Sequence, residues 1–132
     1  MEVMTIALGQ WRLARRYGVN MVDTTVKSGH SIFAPSWDIV LGHKAGRVSD
    51  EEYTAEYRRL MNKSWHEHRD QWLEFIGQTE PLALACYCTA KSATHVHPDG
   101  SFFCHRFLLK DILEKLCHAK GIPFHYYGEL AP

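Results

Sequence analysis

The sequence predicts an α/β fold, formed by a single domain over residues 1–132 with a small parallel-rich sheet and helices on both of its faces. Short apolar and β-branched segments, typical of buried strands, alternate with segments whose apolar residues recur at helical spacing. The chain of 132 residues is long enough to bury a core. Hydrophobic residues make up 45% of it, which argues against a disordered protein.

The first part of the chain supplies two of the predicted strands. The β-branched and apolar run 3–8 predicts the first strand. A short helix is expected over 11–17, ended by Gly18, since glycine is common just after a helix. The second predicted strand covers 20–26 and contains Asp23, whose carboxylate needs a partner or a functional role if it is buried.

Helical patterns dominate the chain between this strand and the next. Ser36 can cap a short helix over 37–42. Ser49 and Glu52 have the spacing of a capping box, which predicts the start of a longer helix. Aromatic and aliphatic residues at helical spacing predict a further helix over 65–76, with its apolar face in the core.

The segment 81–121 carries most of the residues suited to chemistry. An apolar strand from Leu82 leads into Cys86, and a polar loop then precedes an amphipathic helix. A last strand is expected over 122–127, at an edge of the sheet because it contains Pro123. Ligands of parallel sheets bind at the carboxyl ends of strands and the amino ends of the following helices. We therefore expect the functional site at this strand-to-helix junction.

The start of that helix predicts an anion site. His105 and Arg106 fall there, where unpaired backbone N–H groups attract anions and the guanidinium suits a phosphate or carboxylate. Lys27, after the second strand, can reach the same crevice. The residues expected to bind a small phosphate-bearing, nucleotide-like ligand are Lys27, Ser28, Tyr87, Arg106 and Trp11. The alternative is that Arg106 caps the helix or pairs with Asp23 while the cysteines only pack.

A more specific version of the anion-site hypothesis adds a catalytic thiol. A cysteine at a helix start beside a histidine and an arginine is expected to have a lowered pKa, which makes Cys104 the candidate nucleophile. Asp23 or His105 could transfer the proton. The sequence contains no Cys-x5-Arg phosphatase loop and no other local signature of a catalytic cysteine.

A zinc site is the third hypothesis for the same segment. Cys86, Cys88 and Cys104, with one of the histidines at 95, 97 and 105, supply four ligands of the right type. We take His97 as the fourth ligand. The Cys-x-Cys spacing matches no common zinc finger, so the expected role is to order the loop rather than to catalyse a reaction.

These motifs resemble those of the uncharacterised YeaO-like family of small bacterial and phage proteins. The resemblance begins at Val22-Asp23 and passes through Ser28-Gly29 and Ala34-Pro35-Ser36. It continues in the helix that carries Glu52, Tyr53, Tyr57 and Arg58, and closes with Cys86-Tyr87-Cys88 and Cys104-His105-Arg106. It covers most of residues 20–117 and implies the same α/β fold, but no reaction. The long connection 89–103 departs from the short form of the family.

The composition limits the partners. Fifteen basic and fifteen acidic residues cancel, so nucleic acid is a possible partner that the net charge does not imply. We expect no membrane contact, because no apolar run approaches the ~18 residues of a membrane span. The first residues lack the pattern of a signal peptide, and the four cysteines have no regular spacing. These features predict a cytoplasmic protein with reduced thiols.

The sequence thus favours a domain that binds a small phosphate-bearing ligand, a nucleotide or a nucleic-acid fragment, at the carboxyl edge of its sheet. Hydrolase or transferase activity on that ligand is an open alternative to simple binding. The hypothesis of a different class is a non-enzymatic interaction module that zinc orders and that binds a protein partner.

Overall fold

The computed structural model describes residues 1–89, 98 and 102–132, and within them four parallel strands form one sheet that helices cover. The strands are β1 (Glu2–Ala7), β2 (Asn20–Asp23), β3 (Leu82–Cys86) and β4 (His125–Leu130). The helices are α1 (Trp11–Arg16), α2 (Trp37–Lys44), α3 (Asp50–Glu67), α4 (Arg69–Ile76) and α5 (His105–Ala119). The predicted α/β fold with a parallel sheet is confirmed.

The strand order is β2-β3-β1-β4, and because all four strands are parallel their carboxyl ends lie at one edge of the sheet. Ala7 at the end of β1 pairs with Cys86, and Asp23 at the end of β2 pairs with Ala85. All pairs are parallel, so the connections that leave β2 and β3 start side by side. The start of α5 packs near these ends, because this helix returns the chain from β3 to β4.

The two faces of the sheet are covered unequally. Successive strand residues point to opposite faces. On one face, Val3 and Leu84 join a large core that includes residues of α2, α3, α4 and α5. On the other, Met4 and Ile6 join a small cluster in which Ala14 of α1 is the buried helical residue. Helices therefore lie on both faces, with most of the buried apolar volume on one.

Several predicted boundaries shift for local reasons. β2 ends at Asp23 instead of residue 26, because this side chain accepts hydrogen bonds from Thr25 and so starts a turn. The helix predicted over 65–76 is divided at His68, where φ is −128° and ψ is 37°. The last strand starts at His125, beyond Pro123, and lies at an edge of the sheet as predicted. In the described part of the chain, no helix combines the length and apolarity that a membrane crossing needs.

Candidate functional site

A pocket of about 360 Å³ opens at the carboxyl edge of the sheet. Its floor contains Cys86, Cys88, Cys104 and His105, from the end of β3 and the start of α5. Its apolar wall includes Val26, Pro35, Trp37, Val40, Tyr87 and Phe103. Lys27, His43 and Lys44 supply its basic groups, and none of the described residues that line it is acidic. This pocket lies at the strand-to-helix junction where the sequence predicts the site.

Two buried thiols meet at the floor of the pocket. The Sγ atoms of Cys86 and Cys104 lie 2.7 Å apart, and both residues are almost completely buried. Cys86 ends β3, and Cys104 is the residue just before α5. The fold thus brings together two cysteines that are 18 residues apart in the sequence.

Arg106 lies behind these thiols and is fully buried. Its Nη1 donates to Cys86 Sγ at 2.9 Å and to the backbone carbonyl of Cys88 at 2.8 Å. Its Nε and Nη2 donate to the two carboxylate oxygens of Glu129 on β4, at 3.2 and 2.6 Å. The guanidinium pairs with Glu129, so neither the predicted helix cap nor the predicted pair with Asp23 is found. Because Arg106 is buried and does not line the pocket, it is not placed to hold a ligand there.

The protonation of His105 follows from its neighbours. Its Nε2 lies 3.1 Å from the carbonyl oxygen of Thr24, which can only accept, so Nε2 carries a proton. The hydroxyl of Thr24 donates to the carbonyl of Ala85 at 2.8 Å and is left to accept from the same Nε2 at 3.0 Å. Burial lowers the pKa of His105, which favours the neutral ring. Neutral His105 therefore carries its proton on Nε2 and a lone pair on Nδ1.

The thiol with a lowered pKa is Cys88, not Cys104. Burial raises the pKa of Cys104, and its hydrogen bonds to Cys86 and Cys88 raise it further. Hydrogen bonds from Cys104 and Cys86, aided by the charge of Arg106, lower the pKa of Cys88. The predicted low pKa of Cys104 is thus wrong, because its sulfur is buried and acts as a donor to its neighbours.

Asp23 organises the turn that carries Lys27. Its carboxylate accepts from the backbone N–H and hydroxyl of Thr25 at 2.9 and 2.7 Å, and from the Ser28 hydroxyl at 2.6 Å. Burial raises the pKa of Asp23, but these hydrogen bonds outweigh it and the pKa lies below its usual value. Neither Asp23 nor Ser28 lines the pocket, so both hold the loop from behind while Lys27 lines the pocket itself.

A second basic group comes from α2, a helix with no predicted site residue. Lys44 ends this helix, and His43 beside it contacts Asp50 through Nε2 at 2.6 Å. The His43 ring also packs against Tyr53 and Phe103, with centroid distances of 5.4 and 5.1 Å. A basic His-Lys pair at the end of a helix is the sequence signal that could have indicated these residues.

The remaining predicted ligand contacts lie in different places. Tyr87 lines the pocket and is 58% exposed, whereas Trp11 lies on α1, outside the pocket lining, with Arg12 stacked on its ring at 4.7 Å.

The structure also contains a group that could hold a metal ion. One ligand atom from each of Cys86, Cys104 and His105 lies within 4.8 Å of the others. Cys88 is outside this group, although it lines the same pocket. His97, the predicted fourth ligand, and His95 lie outside the described residues. Among the described residues, the histidine of the group that could hold a metal is thus His105.

Comparison with family models, curated proteins and solved structures finds no match for this chain. The resemblance to the YeaO-like family therefore stays a prediction, and the inferences about function rest on the pocket itself.

Proposed function

We propose that the pocket binds a small phosphate-bearing ligand with a flat ring, such as a nucleotide. The observation that carries this proposal is the charge of the lining: Lys27 and Lys44 line the pocket together with no carboxylate among the described residues. Neither lysine forms an ion pair with a carboxylate in the described part of the chain. Two lysines without a carboxylate partner among the described residues favour an anionic guest.

The apolar wall supports a ring on the same ligand. Trp37 and Tyr87 line the pocket and are 50% and 58% exposed, so both have surface left for a contact. Such side chains offer flat surfaces on which a heterocycle can stack. The volume of about 360 Å³ lies at the lower end of the range for small-molecule sites. A mononucleotide is therefore a better match than a long nucleic-acid strand.

The thiols at the floor could also act on the ligand. Cysteine can serve as a nucleophile when a reacting group is held beside it. Cys88 is less buried than Cys86 and Cys104, which makes it the more accessible thiol of the three. If the protein is a hydrolase or transferase, we propose that Cys88 is its nucleophile. Cys104 then donates a hydrogen bond to the Cys88 sulfur.

The test is calorimetric titration with nucleoside monophosphates and with the matching nucleosides. We expect the monophosphates to bind more tightly, and the Lys27→Ala and Lys44→Ala variants each to lose about tenfold in affinity, which is about 1.4 kcal/mol. Lys63→Ala is the matched control, because this lysine lies on α3 facing Glu67. Equal affinities for nucleosides and monophosphates, or equal effects of all three variants, would show that the pocket does not recognise a phosphate group.

Turnover is tested by incubating the protein with a nucleotide pool and identifying altered species by mass spectrometry. A Cys88→Ser variant that binds but no longer converts the nucleotide supports Cys88 as the nucleophile. If Cys88→Ser converts it as fast as the wild type, Cys88 is not the nucleophile.

A second candidate function rests on the group formed by Cys86, Cys104 and His105. Zinc held there would order the junction of β3 and α5, and the protein could then serve as an interaction module for a protein partner. Because metal binding contributes to folding free energy in such sites, a chelator should lower the Tm of protein purified with its metal. Protein that contains no metal and whose Tm does not respond to the chelator would exclude this candidate.

A further inference from the structure

The group of two thiols and one imidazole has the composition of a zinc site with a free coordination position. Structural zinc sites usually have four protein ligands, whereas catalytic sites have three and keep one position for water or substrate. Here Cys86, Cys104 and His105 supply three ligand atoms within 4.8 Å of one another. All three residues line the pocket, and Cys88, whose thiol accepts hydrogen bonds from Cys86 and Cys104, lies outside this group.

The hydrogen bonds of His105 prepare one nitrogen for a metal. Histidines that bind a metal usually donate the other ring N–H to a carbonyl or carboxylate, which fixes the tautomer. Nε2 of His105 donates to the carbonyl and hydroxyl oxygens of Thr24, at 3.1 and 3.0 Å. Nδ1 is therefore the nitrogen with a lone pair, and Thr24 occupies the position of the supporting partner.

The surrounding charges also suit a divalent ion. Two thiolates would cancel the charge of Zn²⁺, and the Arg106 guanidinium is already balanced by Glu129 at 2.6 Å. Nη1 of Arg106 donates to Cys86 Sγ at 2.9 Å and to Cys104 Sγ at 3.6 Å. Donors of this kind stabilise metal-bound thiolates. The buried site would then hold no uncompensated charge, which is the condition for burying ions at all.

We propose that Cys86 Sγ, Cys104 Sγ and His105 Nδ1 bind one Zn²⁺ ion and leave its fourth coordination position open to the pocket. Two thiol protons leave as the ion binds, because the ligands are thiolates. The open position takes an oxygen of water or of the anionic guest, so this inference deepens the proposed pocket function. Cys88 remains unligated at the pocket wall.

The competing arrangement is a closed site in which Cys88 is the fourth ligand. It differs from the open one in two measurable ways. A closed site loses affinity for the metal when Cys88 is changed, and its metal has no position for an added anion. The open site keeps its affinity in the Cys88→Ser variant and responds to anions.

The experiment is titration of the reduced, metal-free protein with Co²⁺, a spectroscopic substitute for Zn²⁺, in the absence of nucleotide. We expect one Co²⁺ per chain, with sulfur-to-cobalt charge-transfer bands and intense visible bands of a four-coordinate ion. Zn²⁺ should then displace the Co²⁺. Addition of inorganic phosphate or azide should change the visible bands, since either anion can enter the open position.

The variants assign the ligands. Cys104→Ser and His105→Asn should each lower the affinity for Co²⁺ by at least about 100-fold, more than the 10–100-fold typical of supporting partners. Cys117→Ser, on the same helix but outside the site, is the matched control. Cys88→Ser should bind Co²⁺ as the wild type does. Circular dichroism of each variant shows whether a loss of binding reflects unfolding.

Four results would overturn the proposal, and each can be obtained with a folded protein. Wild-type protein that takes up no Co²⁺, or that contains a Cys86–Cys104 disulfide when purified and binds no metal after reduction, has no such site. Bands that do not respond to phosphate or azide, or that disappear in Cys88→Ser, indicate the closed arrangement. These titrations contain no nucleotide. The metal site can therefore be confirmed or rejected even if the protein does not bind nucleotides.

Discussion

At the scale of single residues, the buried guanidinium of Arg106 depends on a carboxylate from the last strand. Its ion pair with Glu129 is bidentate, and the arginine has no solvent contact while the glutamate side chain is 29% exposed. A buried ion pair adds little net stability compared with an apolar pair, but the loss of one partner leaves a charge in the interior. Glu129 therefore matters for stability although most of β4 is half-exposed.

Glu129→Gln should lower the free energy of unfolding by about 3 kcal/mol, because it leaves the Arg106 charge buried without a counter-charge. Urea denaturation followed by circular dichroism measures the change. Glu56→Gln is the control, since the Glu56–Arg59 pair lies on the solvent-exposed side of α3, and almost no change is expected. If Glu129→Gln and Glu56→Gln lower the free energy of unfolding equally, the burial of Arg106 does not determine the size of the effect.

Asp23 gives a prediction about pH. Its pKa in the folded protein lies below the usual value, so ionised Asp23 stabilises the fold above that value. This contribution should be complete at neutral pH and disappear as the pH falls below about 4 and through the lowered pKa. Asp23→Asn should therefore cost about 1 kcal/mol at pH 7 and much less at low pH.

The measurement for this variant is urea denaturation at a series of pH values. The exposed Glu80, changed to glutamine, serves as the control. A difference between wild type and Asp23→Asn that stays constant down to low pH would contradict the role of the ionised carboxylate.

At the scale of elements, the turn after β2 determines where Lys27 lies. Gly29 packs against the start of this turn so closely that a Cβ atom would come within 2.4 Å of the Thr25 nitrogen and 2.5 Å of the Asp23 carbonyl oxygen. These are backbone atoms, which cannot rotate away. Any larger residue must displace the turn and with it the lysine.

Gly29→Ala should therefore weaken nucleotide binding about as much as Lys27→Ala does, and should lower the free energy of unfolding by about 1–3 kcal/mol. Gly9→Ala is the control, since no atom lies within 4 Å of a Cβ built there. Calorimetric titration and urea denaturation test both effects. If Gly29→Ala binds as the wild type does, the turn does not position the lysine.

The elements also show what the sequence could and could not predict. Strand and helix periodicity, with the rule for carboxyl ends of parallel strands, was enough to expect the fold class and the junction of Cys86, Cys104 and His105. The partner of Arg106 was not predictable, because Glu129 is brought beside α5 by the position of β4 in the sheet. Lys44 was missed although it belongs to a basic His-Lys pair at the end of α2, because only the tertiary fold brings that helix end beside the end of β3.

At the scale of the whole molecule, the unequal faces of the sheet predict an unequal sensitivity to mutation. Leu109 on α5 is fully buried in the larger core, whereas Leu13 on α1 is only partly buried on the opposite face. Leu109→Ala should lower the free energy of unfolding by about 3 kcal/mol, because buried apolar groups are lost and a cavity remains in the core. Leu13→Ala should cost only about 1 kcal/mol, because less apolar surface returns to water.

Urea denaturation measures the free energy of unfolding of both leucine variants. The comparison holds when the m-value, the slope of that free energy against urea concentration, is the same as in the wild type. Similar costs for the two would mean that α1 contributes as much to the core as α5 does. The asymmetry matters for the site because α5 presents His105, so its packing fixes that imidazole relative to β3.

The link between Arg106 and Glu129 has a consequence for truncated forms of the chain. Cys86, Cys104 and Arg106 all precede the strand that supplies the carboxylate. A chain cut before residue 129 keeps the guanidinium beside the Cys86 thiol but lacks the counter-charge of Glu129. Such a chain should pack less tightly around α5, and a maleimide reagent should label Cys86 and Cys104, which the intact fold buries.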